Sequence, residues 1–226
     1  MTVNVREDEI VDKLYGSSKD WVSVEVELDK QLDPSTLFHI TESQAGDRFY
    51  LRLNDNQSSY FGYHAIRKFE NDFENKQSIF KEWETLKKDI ELIHPDSEKH
   101  HLRLCGGFQF SKHKSDDEWR AYGLNHFVLP EVLISTENNR TFITYTTEKK
   151  TFEMDTFKSL VNDLEQANVD MEDDHLGNVT RMEDIYLDEW RDLVQEAINS
   201  IDYSKKIVLA RRRLIKFDKE ISIPYI

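Results

Sequence analysis

The stretch Asp20-Trp-Val-Ser-Val-Glu-Val-Glu-Leu-Asp29 alternates apolar and polar side chains, and the fold class follows from segments of this kind. Successive side chains of a β-strand point to opposite faces of its sheet. The apolar side chains would therefore share one face: Val22, Val24, Val26 and Leu28. The polar side chains would share the other face: Ser23, Glu25 and Glu27. The pattern predicts a strand with one buried and one solvated face.

Other segments extend this pattern along the chain. Strands are predicted at 48–54, 59–64, 102–110, 127–135, 141–147 and 206–217. Apolar residues three and four apart predict helices at 77–93 and 157–167, and Thr180 with Glu183 matches a capping box for a third. Most strands follow one another directly, with single helices between the blocks. This order predicts an α+β fold with a largely antiparallel sheet.

The composition excludes several classes of protein. The 226 residues carry 30 Lys and Arg against 44 Asp and Glu, a net charge of −14, which disfavours binding to nucleic acid or to an anionic membrane surface. A single cysteine, Cys105, excludes an internal disulfide and any site with several thiolates. The first residues contain no signal peptide, and no apolar run is long enough to span a membrane. We expect a cytoplasmic protein.

Three regions are predicted along the chain. Residues 1–168 form an α+β region, the acidic stretch within 169–182 forms a solvated connection, and residues 183–226 begin a second region. The final segment, Ser222-Ile-Pro-Tyr-Ile226, resembles the beginning of a helix. We therefore expect the fold to continue beyond Ile226.

Four histidines crowd one stretch: His94, His100, His101 and His113. Neighbouring residues of a strand point to opposite faces, so His100 and His101 would not share an ion. Their spacing does not match a zinc site, and they are interpreted as surface histidines.

The segment around Cys105 offers a thiol and two glycines. Without an assignable histidine partner, the thiol is interpreted as a small buried side chain. Gly106 and Gly107 interrupt an apolar strand pattern, which predicts a bulge or a close approach by another backbone. No phosphate-binding loop or nucleophile elbow occurs in the sequence.

The segment Lys206-Ile-Val-Leu-Ala-Arg211 is the most distinctive in the chain. If it is a strand, Lys206 shares a face with Val208 and Ala210. A lysine at the head of an apolar strand is usually an edge or solvent residue, so the pattern alone leaves its role open.

Two groups of residues together give the sequence a family resemblance. The first comprises Leu104-Cys-Gly-Gly-Phe-Gln-Phe110, Trp119 and Phe127-Val-Leu-Pro-Glu-Val-Leu133. The second comprises Trp190, Ala197, Ile198, Ile201 and Lys206-Ile-Val-Leu-Ala-Arg211. In this order and spacing the chain resembles the chorismate-utilising enzymes, and most of all the menaquinone-type isochorismate synthases, over essentially its whole length.

The resemblance implies a fold, a reaction and a catalytic residue. The fold would be two large, mostly antiparallel sheets packed face to face, with helices outside and chorismate between them. In a Mg²⁺-dependent reaction of menaquinone biosynthesis, water would add at C2 and the C4 hydroxyl would leave. Lys206 would be the general base that activates the water. The general acid and the Mg²⁺ ligands would lie in a C-terminal half beyond Ile226, so no cofactor-binding or metal-binding residue is assigned in this chain.

Two alternatives remain open. The resemblance implies that lysine at position 206, rather than glutamine, favours water over an amide nitrogen as nucleophile. Salicylate synthases use the same lysine and then eliminate pyruvate, so the residues present do not separate the two products. The second alternative is a non-catalytic acidic α+β interaction module, or an incomplete portion of an enzyme that is inactive alone.

Overall fold

The structure is a computed structural model that describes residues 6–42, 48–53, 58–70, 76–109, 120, 122–167, 177–202 and 206–219. The chain divides into two compact units, Met1–Val169 and Asp170–Ile226, and each is described by itself. Among the described residues no helix is both long and apolar enough to cross a membrane.

The described residues of the first unit form four α-helices and seven strands. The helices are α1 (Glu7–Gly16), α2 (Pro34–Ile40), α3 (Lys76–Lys88) and α4 (Met154–Gln166). The strands are β1 (Trp21–Leu28), β2 (Arg48–Arg52), β3 (Ser58–Phe69), β4 (Ile90–Ile93), β5 (Cys105–Phe108), β6 (Asn125–Glu137) and β7 (Arg140–Glu148).

The seven strands form one sheet. Its order is β2-β3-β6-β7-β1-β4, and β5 pairs with β6 off this path. Only β1 and β4 run parallel, and the other pairs are antiparallel. Between β6 and β7 the chain reverses at Asn138 and Asn139, whose φ angles of 52° and 63° are those that a tight hairpin turn requires. The predicted α+β class with a mostly antiparallel sheet is confirmed.

One face of the sheet holds the main hydrophobic core. The apolar side chains of β1 pack there with residues of three helices: Ile10 of α1, Leu37 of α2, and Phe157, Val161 and Leu164 of α4. A second cluster packs α3 against the sheet through Phe69, Ile79, Leu86, Ile90 and Leu129. The strand at 20–29 and the helix at 157–167 are thus confirmed as parts of the core.

The prediction of a solvated face on β1 is wrong. Ser23 is 0% exposed and Glu25 is 1% exposed, so the strand is buried on both faces. The segment that follows β4 covers the polar face, where His100 Nε2 lies 3.0 Å from the Ser23 carbonyl oxygen. A strand pattern shows which face is polar, but it does not show what packs on that face.

The predicted helix at 77–93 is too long. Helix α3 ends at Lys88, and Ile90–Ile93 is a strand whose Ile90 pairs with Trp21 of β1. Ile90 and Ile93 are both fully buried. Their three-residue spacing suited a helix, but pairing with β1 satisfies the backbone and buries both side chains, and this tertiary gain outweighs local propensity.

In the second unit, the part of the chain that the structure describes forms one helix and two strands. Strand β8 (Val179–Asp184) pairs antiparallel with β9 (Arg213–Phe217), and helix α5 (Leu187–Ser200) lies between them in sequence. The capping box prediction is wrong, because Thr180 lies in β8 and its hydroxyl donates to the Lys216 carbonyl oxygen. Glu183 pairs with Leu214 in the same ladder.

Two other predictions in the second unit have different outcomes. The division at 169–182 stays a prediction, and β8 crosses the predicted boundary between 182 and 183. Residues 169–176 of the predicted acidic connection lie outside the described residues, as do residues 220–226. The described residues form one large sheet and the β8–β9 pair, without the second large sheet that the resemblance implies.

Candidate functional site

The predicted catalytic residue, Lys206, lies on the surface of the second unit. Residues 206–212 have no regular secondary structure, and only Arg213–Phe217 of the predicted strand at 206–217 is extended in a sheet. Val208, which would share a strand face with Lys206, is 76% exposed. The described residues therefore do not supply the buried strand face on which the predicted role of Lys206 depends. They neither test nor exclude that role.

The structure brings together two other residues that carry the resemblance, Trp190 and Arg211. The Arg211 guanidinium lies 5.4 Å from the centre of the Trp190 ring, and its Nη2 lies 3.2 Å from Asp184 Oδ1. Arg213 donates to the same carboxylate, with Nε 2.6 Å from Oδ1. Asp184 thus holds two arginines of the 206–217 segment beside helix α5. The hydrogen bond from Arg213 and the charges of both arginines lower the pKa of its carboxyl group below its ordinary value.

The described residues do not form a site for a metal ion. No group of three or more His, Cys, Asp or Glu side chains within them could hold one. The Mg²⁺ that the resemblance implies therefore has no ligand set in the described part of this chain.

A buried polar cluster lies under the segment that covers β1, and we call it the Glu25 cluster: Glu25, Ser97, His100, His101 and Thr144. Glu25 Oε1 lies 2.8 Å from His101 Nδ1, and Oε2 accepts from the His101 backbone N–H at 2.7 Å. The hydroxyls of Thr144 and Ser97 also donate to Glu25, at 2.8 and 3.1 Å. Burial alone would raise the pKa of Glu25, but the hydrogen bonds from His101 and the nearby imidazole of His100 hold it below its ordinary value.

A second carboxylate, Glu137, faces the other nitrogen of the same imidazole. His101 Nε2 lies 3.6 Å from Glu137 Oε2, and the Tyr60 hydroxyl donates to Oε1 at 2.6 Å. Lys99 Nζ and Arg103 Nη2 also donate to this carboxylate, at 2.5 and 3.3 Å. Burial would raise the pKa of Glu137, but the bonds from Lys99 and Tyr60 outweigh it and lower the pKa to about 2. His101 therefore lies between two ionised carboxylates.

The neighbouring imidazole, His100, is held in its neutral form. The Leu102 backbone N–H donates to Nδ1 at 3.1 Å, so this nitrogen carries no proton. Nε2 therefore carries the proton and donates it to the Ser23 carbonyl oxygen at 3.0 Å. Burial lowers the pKa of His100, against the opposing charge of Glu25. Protonation at Nδ1 would break the bond from Leu102.

The interpretation of the histidines as surface residues is wrong for two of the four. His101 is 2% exposed as a residue, and the side chain of His100 is 3% exposed. Both contact Glu25, although neighbouring residues of a strand would diverge, because 100–104 is not a strand. His94 is partly buried, with Nδ1 2.8 Å from the Ser97 carbonyl oxygen, and His113 lies outside the described residues.

The thiol of Cys105 is a buried structural side chain, as predicted. It is unpaired, and burial raises its pKa to about 12, so it is not a nucleophile near neutral pH. Of the two glycines that follow, Gly106 is the constrained one: its φ is +152°, and a Cβ there would lie 2.0 Å from the His126 carbonyl oxygen. Gly107 has open space around it, and strand β5 is shorter than the predicted 102–110.

A polar cavity of about 660 Å³ opens at the end of β1 in the first unit. It is lined by Ser17, Ser18, Lys19, Asp20, Trp21, Glu148, Lys149 and Lys150. Its lysines already have partners: Lys19 donates to the Ile90 carbonyl oxygen, Lys149 donates to that of Ser17, and Lys150 pairs with Glu148. Each lysine of the lining therefore already donates to an acceptor within the protein.

Sequence reasoning missed the Glu25 cluster. The one available signal was a glutamate at the centre of a strongly apolar strand, with two adjacent histidines farther along the chain. Glu25 and His101 are 76 residues apart in the sequence, and no rule of residue spacing relates them.

Comparisons with known proteins place the chain in a family. The sequence matches the family described as "Chorismate binding enzyme" over residues 9–226, whereas none of the curated proteins matches it. Among solved structures, the menaquinone-specific isochorismate synthase from Escherichia coli has a similar fold, with a TM-score of 0.57 and 12% sequence identity. The similarity covers 99% of this chain and 48% of that enzyme, so the chain spans about half of its length. The chain belongs to the family of chorismate binding enzymes.

Proposed function

We propose that this chain provides one half of a cytoplasmic isochorismate synthase of menaquinone biosynthesis, with chorismate as substrate. The observation that carries the proposal is the family match over residues 9–226, which includes the lysine at position 206. In the reaction, water adds at C2 of chorismate, the double bond shifts, and the C4 hydroxyl leaves.

Lys206 is proposed to accept the proton of the attacking water. A free lysine amine has a pKa near 10.4, so a working base must be desolvated or lie beside another positive charge. On the exposed 206–212 segment neither is evident among the described residues. The proposal therefore requires additional polypeptide to bury this segment and to supply the general acid and the ligands of Mg²⁺, which supports charge separation when bound.

The test uses a full-length form in which this chain is joined to the missing half of the family fold. Chromatography of the product is expected to show isochorismate. Lys206→Ala should lower kcat by at least 10²-fold, since general-base assistance is typically worth 10²–10⁴-fold. Lys206→Arg should lower kcat almost as much, because a guanidinium stays protonated and cannot accept the proton of the water.

Lys216→Ala is the matched control, because Lys216 is an exposed lysine of the same unit. It should leave kcat within about threefold of the unsubstituted value, a small change beside that of general-base loss. Salicylate and pyruvate as products would assign the chain to the salicylate synthases. A folded full-length form that binds chorismate without turning it over would contradict the proposal.

A further inference from the structure

The segment between β4 and β5 covers the polar face of the sheet. Residues 94–104 have no regular secondary structure, and we call 94–101 the strap, because it lies over Ser23 and Glu25 of β1. Within the described residues, no backbone–backbone hydrogen bond joins 95–101 to the rest of the protein. The strap is therefore held by bonds in which side chains take part. Histidine is prominent among them, and its charge changes near neutral pH.

The neutral form of His100 uses both of its ring nitrogens. Nε2 donates to the Ser23 carbonyl oxygen at 3.0 Å, and Nδ1 accepts from the Leu102 backbone N–H at 3.1 Å. A second proton on Nδ1 would turn this acceptor into a donor, and the Leu102 N–H would lose its partner. The side chain of His100 is only 3% exposed. Two buried donors without acceptors are costly, because each has given up its hydrogen bond to water.

The adjacent carboxylate, Glu25, has no free acceptor site for this proton. Its Oε2 lies 3.7 Å from His100 Nδ1, beyond hydrogen-bond distance. Oε1 already accepts from His101 Nδ1 and Ser97, and Oε2 accepts from the His101 backbone N–H and Thr144. These bonds use the acceptor sites that a carboxylate offers. The charge of Glu25 favours an imidazolium, but burial opposes it more strongly, so the pKa of His100 is lowered.

The other charged groups near His100 do not offset the cost of a second proton. The imidazoles of His94 and His101 lie beside it, with the His94 ring centre 5.6 Å away, and positive charge on either opposes charge on His100. Glu137 of β6 lies beyond His101, 3.6 Å from its Nε2. It accepts from three side chains: Tyr60, Lys99 and Arg103. Two of these are cations, so they also disfavour further positive charge nearby.

The rest of the first unit does not depend on the strap for its packing. The main hydrophobic core lies on the opposite face of β1, and its described residues include none of the strap. The chain is anchored again directly after the strap, since Leu102 and Leu104 pack against the cluster of α3. Lifting the strap would admit water to Ser23 and Glu25, which are 0% and 1% exposed.

We propose that the strap is an acid-sensitive cover, which closes over the polar face of β1 while His100 is neutral and lifts from it when His100 binds a second proton. The core behind β1 stays folded, and Leu102 and Leu104 act as the hinge. Opening is reversible, because no covalent bond changes. The strap lies within the first unit, so its opening can be measured without the reaction proposed for Lys206.

Amide hydrogen exchange of the intact 226-residue chain tests the strap. The reporters are the backbone N–H groups of His101 and Leu102, which donate to Glu25 and to His100. After correction for the intrinsic exchange rate, their protection should fall at least about fivefold from pH 7.5 to pH 5.0, because a solvated histidine binds its proton near pH 6.5. Amides of β1 should change less than about twofold, because the core stays closed.

His100→Gln separates the effect of the proton from that of the side-chain shape. A glutamine amide has a donating and an accepting end, so it can bond to Ser23 and Leu102 without titrating. Protection of the two reporters should then change less than about twofold over the same pH range. His39→Gln, on an exposed histidine of α2, is the matched control and should keep the full loss. Both carboxylates stay ionised at pH 5.0, since the pKa values of Glu25 and Glu137 are lowered.

The ring-nitrogen chemical shifts of His100 give a second readout, which decides the matter if His100→Gln opens the strap at every pH. They should titrate with the same midpoint as the loss of protection, to within about half a pH unit. The inference is overturned if protection does not fall in the unsubstituted chain, if His100→Gln keeps the fall, or if the midpoint follows His94 or His101 instead. An equal fall across β1 would also overturn it, because the whole unit would then be unfolding.

Discussion

Glu25 and His101 form a buried contact in the first unit, with Oε1 of the carboxylate 2.8 Å from Nδ1 of the imidazole. Their residues are 1% and 2% exposed. The contact joins the centre of β1 to the segment after β4, and the His101 backbone N–H donates to the same carboxylate. This contact therefore holds the segment after β4 over the polar face of β1, which would otherwise be exposed to solvent.

Loss of the Glu25 charge should destabilise the first unit. Glu25→Gln keeps the shape of the side chain, but the NH₂ group of the amide would face groups of His101 and Thr144 that donate hydrogen bonds to the carboxylate. We expect the free energy of unfolding in urea to fall by about 3 kcal/mol, the scale for breaking a buried pair on one side. Glu27→Gln is the matched control on the same strand, because its partner Arg140 is half exposed, and it should cost less than about 1 kcal/mol. Equal effects would contradict the structural role of Glu25.

Stability should fall in two steps as the pH is lowered. The pKa of His100 is depressed in the folded state, so its contribution is lost as the pH falls through about 6.5, the ordinary value for histidine. The pKa values of Glu25 and Glu137 are also depressed, and that of Glu137 is about 2, so their contribution is lost between about pH 4.5 and pH 2.

Urea unfolding measured from pH 8 to pH 3 checks both steps. His100→Gln should flatten the curve between pH 7.5 and 5.5, and Glu137→Gln should flatten it below pH 4.5. His39→Gln, on an exposed histidine, serves as control and should leave both steps in place. A curve that His100→Gln does not change would mean that the pKa of His100 is the same in the folded and unfolded states, which contradicts the prediction.

The two adjacent glycines of β5 should respond very differently to a methyl group. Gly106→Ala forces a Cβ against the β6 backbone at a positive φ, and we expect a loss of at least about 2 kcal/mol. Gly107→Ala meets nothing within 4 Å and should be nearly neutral in the same denaturant melt. The close approach that the sequence predicts at the Gly106–Gly107 pair is therefore assigned to Gly106. Similar losses at both positions would contradict the assignment.

The 226-residue chain alone should not convert chorismate, even with excess Mg²⁺. Lys206 is solvated, and the described residues contain no metal-binding group. Product chromatography after prolonged incubation should match a sample without protein. Isochorismate above that background would show that the missing half is not needed for turnover.

Much of the fold could be predicted from local pattern. Alternation identified β1, β6 and β7, and apolar spacing identified α4, because each element places apolar side chains on one face whatever its partners are. The helix predicted at 77–93 was wrong at its C-terminal end, because the spacing of Ile90 and Ile93 fits both a helix and a strand. Pairing with β1, far away in sequence, decided between them.

The sequence by itself determined the α+β class, the position of the apolar faces and the lysine on which the proposed reaction depends. Only the tertiary structure decided that Glu25 meets His101, that Gly106 rather than Gly107 touches a backbone, and that the 206–212 segment is exposed. The physical reason is the same in each case. The periodicity of apolar residues along a strand or helix shows which way each side chain points. The burial and the pKa of that side chain depend on which other part of the chain packs against it.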